Sequence, residues 1–94
     1  MPVLADDLVF HPSKEVFSRA LDGEAVLLDS TSGKYLGLNE VGARIWELME
    51  KGETVGGIRA AIVAEFEVDE ARAGEDLAAL VAELESRGLV RRRT

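Results

Sequence analysis

At Leu38 the spacing of apolar residues changes. Between Val16 and Leu38 the chain reads as short extended runs broken by turn residues, and after Asn39 apolar side chains recur every three or four positions. A chain divided in this way builds a small sheet first and a helical layer second, and one layer must cover the other. The predicted class is α+β, with a three-stranded antiparallel meander followed by three α-helices in the order of a winged helix-turn-helix.

The turn chemistry supports three strands at Val16 to Leu21, Glu24 to Asp29 and Lys34 to Leu38. Asp22-Gly23 is suited to a two-residue type I′ hairpin, because both central positions need positive φ. Ser30-Thr31-Ser32-Gly33 makes a longer second turn. The run Ala25-Val26-Leu27-Leu28 is apolar without alternation, which predicts a central strand substantially covered on both faces.

Three cap signals divide the helical part. Asn39 opens a helix in which Val41, Ile45, Leu48 and Met49 share one face beside Trp46, with Gly52 as its stop. Thr54 opens a second, with Val55, Ile58, Ile62 and Phe66 on one side; Gly56 and Gly57 each weaken its first turn by about 1 kcal/mol relative to alanine. Asp69 opens a third, running to about Arg87, with Ala73, Leu77, Leu80 and Leu84 as its stripe. Gly88 at C′ would bring Leu89 onto Leu84 in a Schellman motif.

Residues 1–15 carry Pro2 and Pro12 and read as an irregular arm, with room for one short strand near Leu8-Val9-Phe10. Residues 16–90 form the single domain, and 91–94 a solvated basic tail. The 94 residues suffice for one modest core built mainly from aliphatic side chains. No cysteine is present, which removes disulfides and thiolate chemistry and fits a reducing compartment. No stretch approaches the roughly 20 apolar residues of a membrane span, and no signal segment is legible, so a cytoplasmic location away from membranes is expected.

The charge argues against nucleic acid. Net charge is −7, and the third helix sets Asp69, Glu70, Glu75, Asp76, Glu83 and Glu85 against Arg72 and Arg87, a balance that repels phosphate. A winged-helix DNA-binding regulator is therefore the weaker reading of this architecture. Catalysis finds no better footing. His11 is the one histidine and has no partner at metal-ligand spacing, so neither a metal nor a cofactor is expected. Ser18, Ser30 and Ser32 fall in strands or turns without a placed base. Glu75 and Asp76 diverge by about 100° on a helix and cannot converge on one atom.

What remains is the edge of the sheet. Lys34-Tyr35-Leu36-Gly37-Leu38 is short and leads into a helix, and an extended peptide could add to it. Each backbone bond contributes about 0.5 to 1.5 kcal/mol net, and each buried apolar anchor roughly 1.5 to 3. Four bonds and two anchors, less the ordering cost, correspond to binding at around micromolar concentration. For Tyr35 the alternative is plain core packing with its hydroxyl at the rim.

Three stretches then resemble one known family: Gly23-Glu24-Ala25-Val26-Leu27-Leu28-Asp29, Ser32-Gly33-Lys34-Tyr35, and Leu38-Asn39-Glu40-Val41-Gly42-Ala43-Arg44-Ile45-Trp46. With Val68-Asp69, Asp76, Leu80-Val81-Ala82-Glu83-Leu84 and Gly88-Leu89-Val90, they resemble the PqqD-like precursor-peptide recognition elements of ribosomal peptide pathways. The wording around Leu38-Asn39 and Gly42-Ala43 is most similar to stand-alone lasso-peptide B1 proteins. The resemblance implies a non-catalytic adaptor that takes up a leader peptide by strand addition and hands it to a leader protease. A peptide chaperone of the PQQ pathway, serving a radical SAM enzyme, is the alternative within the family. It further implies that Lys34, Tyr35, Leu36, Gly37 and Leu38 form the pairing edge, and that Arg72, Asp76, Ala79, Leu80 and Glu83 face the peptide from the third helix.

Overall fold

The computed structural model describes residues 4–93. Its order is β1 (Val9–Pro12), β2 (Val16–Leu21), β3 (Glu24–Asp29), β4 (Lys34–Leu38), α1 (Glu40–Glu50), α2 (Val55–Phe66), α3 (Glu70–Ser86) and β5 (Val90–Arg93). The meander β2-β3-β4 and the three helices match the expected elements, with β3 central. A second sheet was not foreseen: β1 pairs antiparallel with β5.

This second sheet corrects the reading of the C-terminal end and gives the short strand expected in the N-terminal arm its partner. Arg91, Arg92 and Arg93, expected in a solvated tail, form β5, with His11 opposite Arg91 and Phe10 opposite Arg92. The side chains of Arg91 and Arg92 stay exposed while their backbone is paired. From the arm, Phe10 enters the core at 1% exposure. Pairing between segments some eighty positions apart leaves no local pattern, and a run of arginines reads as solvated whether or not its amides are bonded. Residues 1–3 of the arm and Thr94 lie outside the described residues.

Local chemistry explains the boundaries. Asp22 and Gly23 both have positive φ, as the type I′ turn needs. The Asn39, Thr54 and Asp69 side chains accept from the amides of Gly42, Gly57 and Arg72 at 2.9, 3.1 and 2.7 Å, satisfying donors that have no intrahelical partner. At the end of α3, Gly88 has φ 71°; the Leu89 amide donates to Leu84 O at 2.9 Å and that of Gly88 to Glu85 O at 3.0 Å, completing the Schellman motif.

The helices cover one face of β2-β3-β4. Ala25, Leu27 and Leu38 point into the core with Ile45, Trp46, Met49, Ile58, Ile62, Leu77 and Leu84. On α3 the buried residues are Ala73, Leu77, Val81 and Leu84; Leu80, expected in this stripe, is only half-buried. β3 also departs from expectation, because Val26 and Leu28 on its other face are half-buried and no helix lies over them.

Candidate functional site

The sheet's hydrogen-bond phase decides which backbone groups are free. A two-residue hairpin closes on a bonded pair, so Leu21 and Glu24 exchange bonds, and bonded pairs recur at every second position along β2 and β3. The Ser30 amide, which donates to Glu15 O at 2.9 Å, continues that series. On β3, Ala25, Leu27 and Asp29 must therefore turn toward β4, where their partners are Leu38, Leu36 and Lys34. The N–H and C=O of Tyr35 and Gly37 then point away from the sheet.

Nothing among the described residues pairs with that outer edge, since β4 has β3 as its single neighbour and the N-terminal segment pairs with β5 instead. Beside the edge lies a cleft of about 360 Å³ between β4 and α3. Its floor is apolar, built from Leu38, Val41, Ile45, Val68 and Leu80, and its far wall carries Arg72, Asp76 and Glu83. A smaller hollow of about 250 Å³ continues it past Lys34, Tyr35 and Leu36 to Arg87 and Leu89. The two hollows follow β4 along its length, with α3 antiparallel opposite.

The charges on the wall are largely satisfied by one another. Arg72 Nε lies 3.2 Å from both Asp76 carboxylate oxygens, and Arg87 reaches Glu83 at 3.0 Å. Each is an exposed i, i+4 pair worth a few tenths of a kcal/mol. Leu80 sits between them, so the wall offers an apolar strip bounded by two ion pairs. That arrangement suits an extended segment with an apolar anchor and contains no nucleophile with a base beside it.

The edge residues Lys34, Tyr35, Leu36, Gly37 and Leu38 thus line one or other hollow, as do Arg72, Asp76, Leu80 and Glu83. Ala79, expected to face the groove, is exposed and lines neither, being rotated about 100° from Leu80. Tyr35 is not core: 67% of it is exposed. The floor residues Val41, Ile45 and Val68 were not named as site residues from the sequence. The first two carried a core signal as members of the first helix's stripe, and nothing local distinguishes an apolar residue in a closed core from one in an open cleft.

Two further hollows lie elsewhere. One of about 370 Å³ beside β2 is walled by Ser18, Ala20, Glu40, Glu47 and Glu50, and one of about 520 Å³ lies near Leu4, Asp6, Arg59 and Gly74. The first borders an open strand edge as well and has apolar lining from Ala25, Ala43, Trp46 and Phe66, but Glu40, Glu47 and Glu50 rim it and no leucine, valine or isoleucine lines it. In the second, Arg59 is held by Asp6 at 2.8 Å and no strand edge is available.

A sequence model of the family described as coenzyme PQQ synthesis protein D (PqqD) matches residues 24–90. The chain belongs to the PqqD family. Two solved structures resemble this PqqD-family chain over most of its length. TbiB1 in complex with the TbiA(beta) leader peptide has 38% identity and a TM-score of 0.80, covering 86% of this chain and 94% of that one. A lasso peptide synthetase B1 complexed with the leader peptide has 32% identity and a TM-score of 0.78, covering 87% and 96%. No curated protein matches the chain. The PqqD match begins at β3 and ends at the first residue of β5, so it spans the β4 edge, α3 and the cleft between them.

Proposed function

We propose that this chain is a non-catalytic adaptor that receives the leader segment of a ribosomally synthesised precursor peptide as an added antiparallel strand on β4 and presents it to a processing enzyme. The observation that carries this reading is the open β4 edge over an apolar cleft. Tyr35 and Gly37 offer two donors and two acceptors, and the aliphatic floor takes alternate side chains of the incoming strand. Both similar solved structures are named as complexes with a leader peptide, which favours the same kind of ligand here.

Within that reading Lys34 to Leu38 supply the backbone ladder and position the guest strand. Leu80 anchors it, while Arg72, Asp76 and Glu83 select among sequences at the rim. The similarity to a lasso peptide synthetase B1 makes a lasso-peptide leader protease the favoured client over a radical SAM enzyme. No described helix is long and apolar enough to cross a membrane, and we assign the adaptor to the cytoplasm, where precursor peptides are made.

Titrating the labelled protein with its leader peptide and following amide shifts tests this. Shifts centred on residues 34–38 and on the cleft side of α3 are expected. A leader that binds while leaving both segments unmoved would refute the assignment, and a gel shift with duplex DNA persisting at physiological salt would favour the regulator instead.

A further inference from the structure

Phe17, Leu21 and Tyr35 are the large apolar residues left exposed among the described residues. Strand pairing puts all three on one face of the sheet. Phe17 stands opposite Leu28, and Leu28 opposite Tyr35, so these three form a row across the sheet; Arg19, Val26 and Gly37 form the next row, and Leu21 with the exposed Glu24 follows at its margin. The helices pack on the other face, where Ala25, Leu27 and Leu38 are buried. The unalternating run Ala25-Val26-Leu27-Leu28 is thereby half explained, since Val26 and Leu28 carry apolar character for a face that the protein itself leaves uncovered.

Single exposed apolar residues are ordinary, but an aromatic row joined to aliphatic neighbours on one sheet face marks a contact surface. We propose that this outward face is where the peptide-processing enzyme docks, through an apolar patch of its own and a carboxylate that receives Arg19. The proposal rests on the leader-capture reading above.

Three observations select this occupant. Tyr35 belongs both to the outward face and to the strand with the open edge. A leader strand added to β4 would direct alternate side chains into the cleft and the others outward, lengthening the Phe17–Leu28–Tyr35 row, so that one partner surface would contact adaptor and leader together. None of the ion pairs among the described residues engages Arg19, which stands within the patch. A second copy is disfavoured, because two chains of net charge −7 would meet against mutual repulsion.

The test uses the full chain, its precursor's leader as a fluorescent synthetic peptide, and the purified leader protease of the same biosynthetic pathway. Phe17→Asp and Leu21→Asp, made separately, are expected to bind the leader within about twofold of the unaltered protein and the protease at least about tenfold more weakly. Cleavage should slow at limiting adaptor and recover at high adaptor concentration. Leader should also tighten the protease's hold on unaltered adaptor. Hydroxyl-radical footprinting of the unaltered proteins needs no variant to fold, and should show Phe17 and Tyr35 protected by the protease. Unchanged protease affinity in both variants, unchanged footprints, or self-association abolished by Phe17→Asp would each overturn the proposal. Failure of the unaltered chain to bind leader at all would instead overturn the leader-capture reading, and this proposal with it.

Discussion

Phe10 and Arg92 are cross-strand partners on β1 and β5, with the guanidinium carbon 5.6 Å from the ring centroid. Glu85 holds the same arginine at 3.0 Å. One ring therefore joins the N-terminal strand, the C-terminal strand and the core, and the guanidinium lies over it as a partly solvated cover.

Phe10→Ala should therefore cost about 3 to 5 kcal/mol, a large part of the total stability of a domain this small. Chemical denaturation should show a strongly lowered midpoint or an unfolded chain. Arg92→Ala, which loses exposed contacts, should cost no more than about 1 kcal/mol.

The phase of the sheet separates two prolines one residue apart. Gly37→Pro removes an outward amide and leaves the β3 ladder intact, and no atom lies within 4 Å of a Cβ built there. Leader affinity should fall about three- to tenfold, the worth of one backbone bond, with thermal stability nearly unchanged. Leu36→Pro breaks the internal ladder, so stability should fall by clearly more than the roughly 1 kcal/mol of a single bond. Titration calorimetry beside thermal melts distinguishes the two.

Leu80 and Ala79 make a matched pair on α3. Leu80→Ala takes half-buried apolar surface from the cleft wall and should weaken leader binding roughly fivefold, about 1 kcal/mol. Ala79→Ser alters an exposed position off the cleft and should leave binding unchanged. Fluorescence anisotropy with a labelled leader reads both.

Gly88 holds φ 71° in the Schellman motif, with open space around it. Gly88→Ala should cost about 1 to 2 kcal/mol through backbone strain alone, measured by urea unfolding, and leave leader affinity unaltered in the folded fraction.

Arg44 bonds Glu65 at 2.8 and 3.0 Å and also Glu47, and its hydrogen bonds hold the Glu65 carboxyl below its ordinary value of 4.5. Folding favours the ionised form, so the pair's contribution is present above that ordinary value and is lost as pH falls through the lowered one. Carbon-detected titration should place Glu65 below the ordinary glutamate value, and Arg44→Gln should raise it toward that value.

The strands β2, β3 and β4 and all three helices were legible because each depends on interactions within a few residues. The Asp22-Gly23 turn, the caps at Asn39, Thr54 and Asp69 and the Gly88 stop are short-range chemistry. So is the period that puts Leu77 and Leu84 on one side of α3. The β4 edge could be named for the same reason, since a meander of three strands has two edges.

Contacts between distant segments lay beyond that reach. Sequence by itself determined the central meander, the helices, their caps and the acidic balance that turns phosphate away. Tertiary structure alone decided that Arg91 to Arg93 pair with the N-terminal strand, that Phe10 is core, and that Ala79 turns away from the cleft while Val81 is buried. It also decided that the second apolar face of β3 stays open. The physical reason is common to all four: local geometry sets which way a side chain points, but only the packing of remote elements sets what, if anything, it meets there.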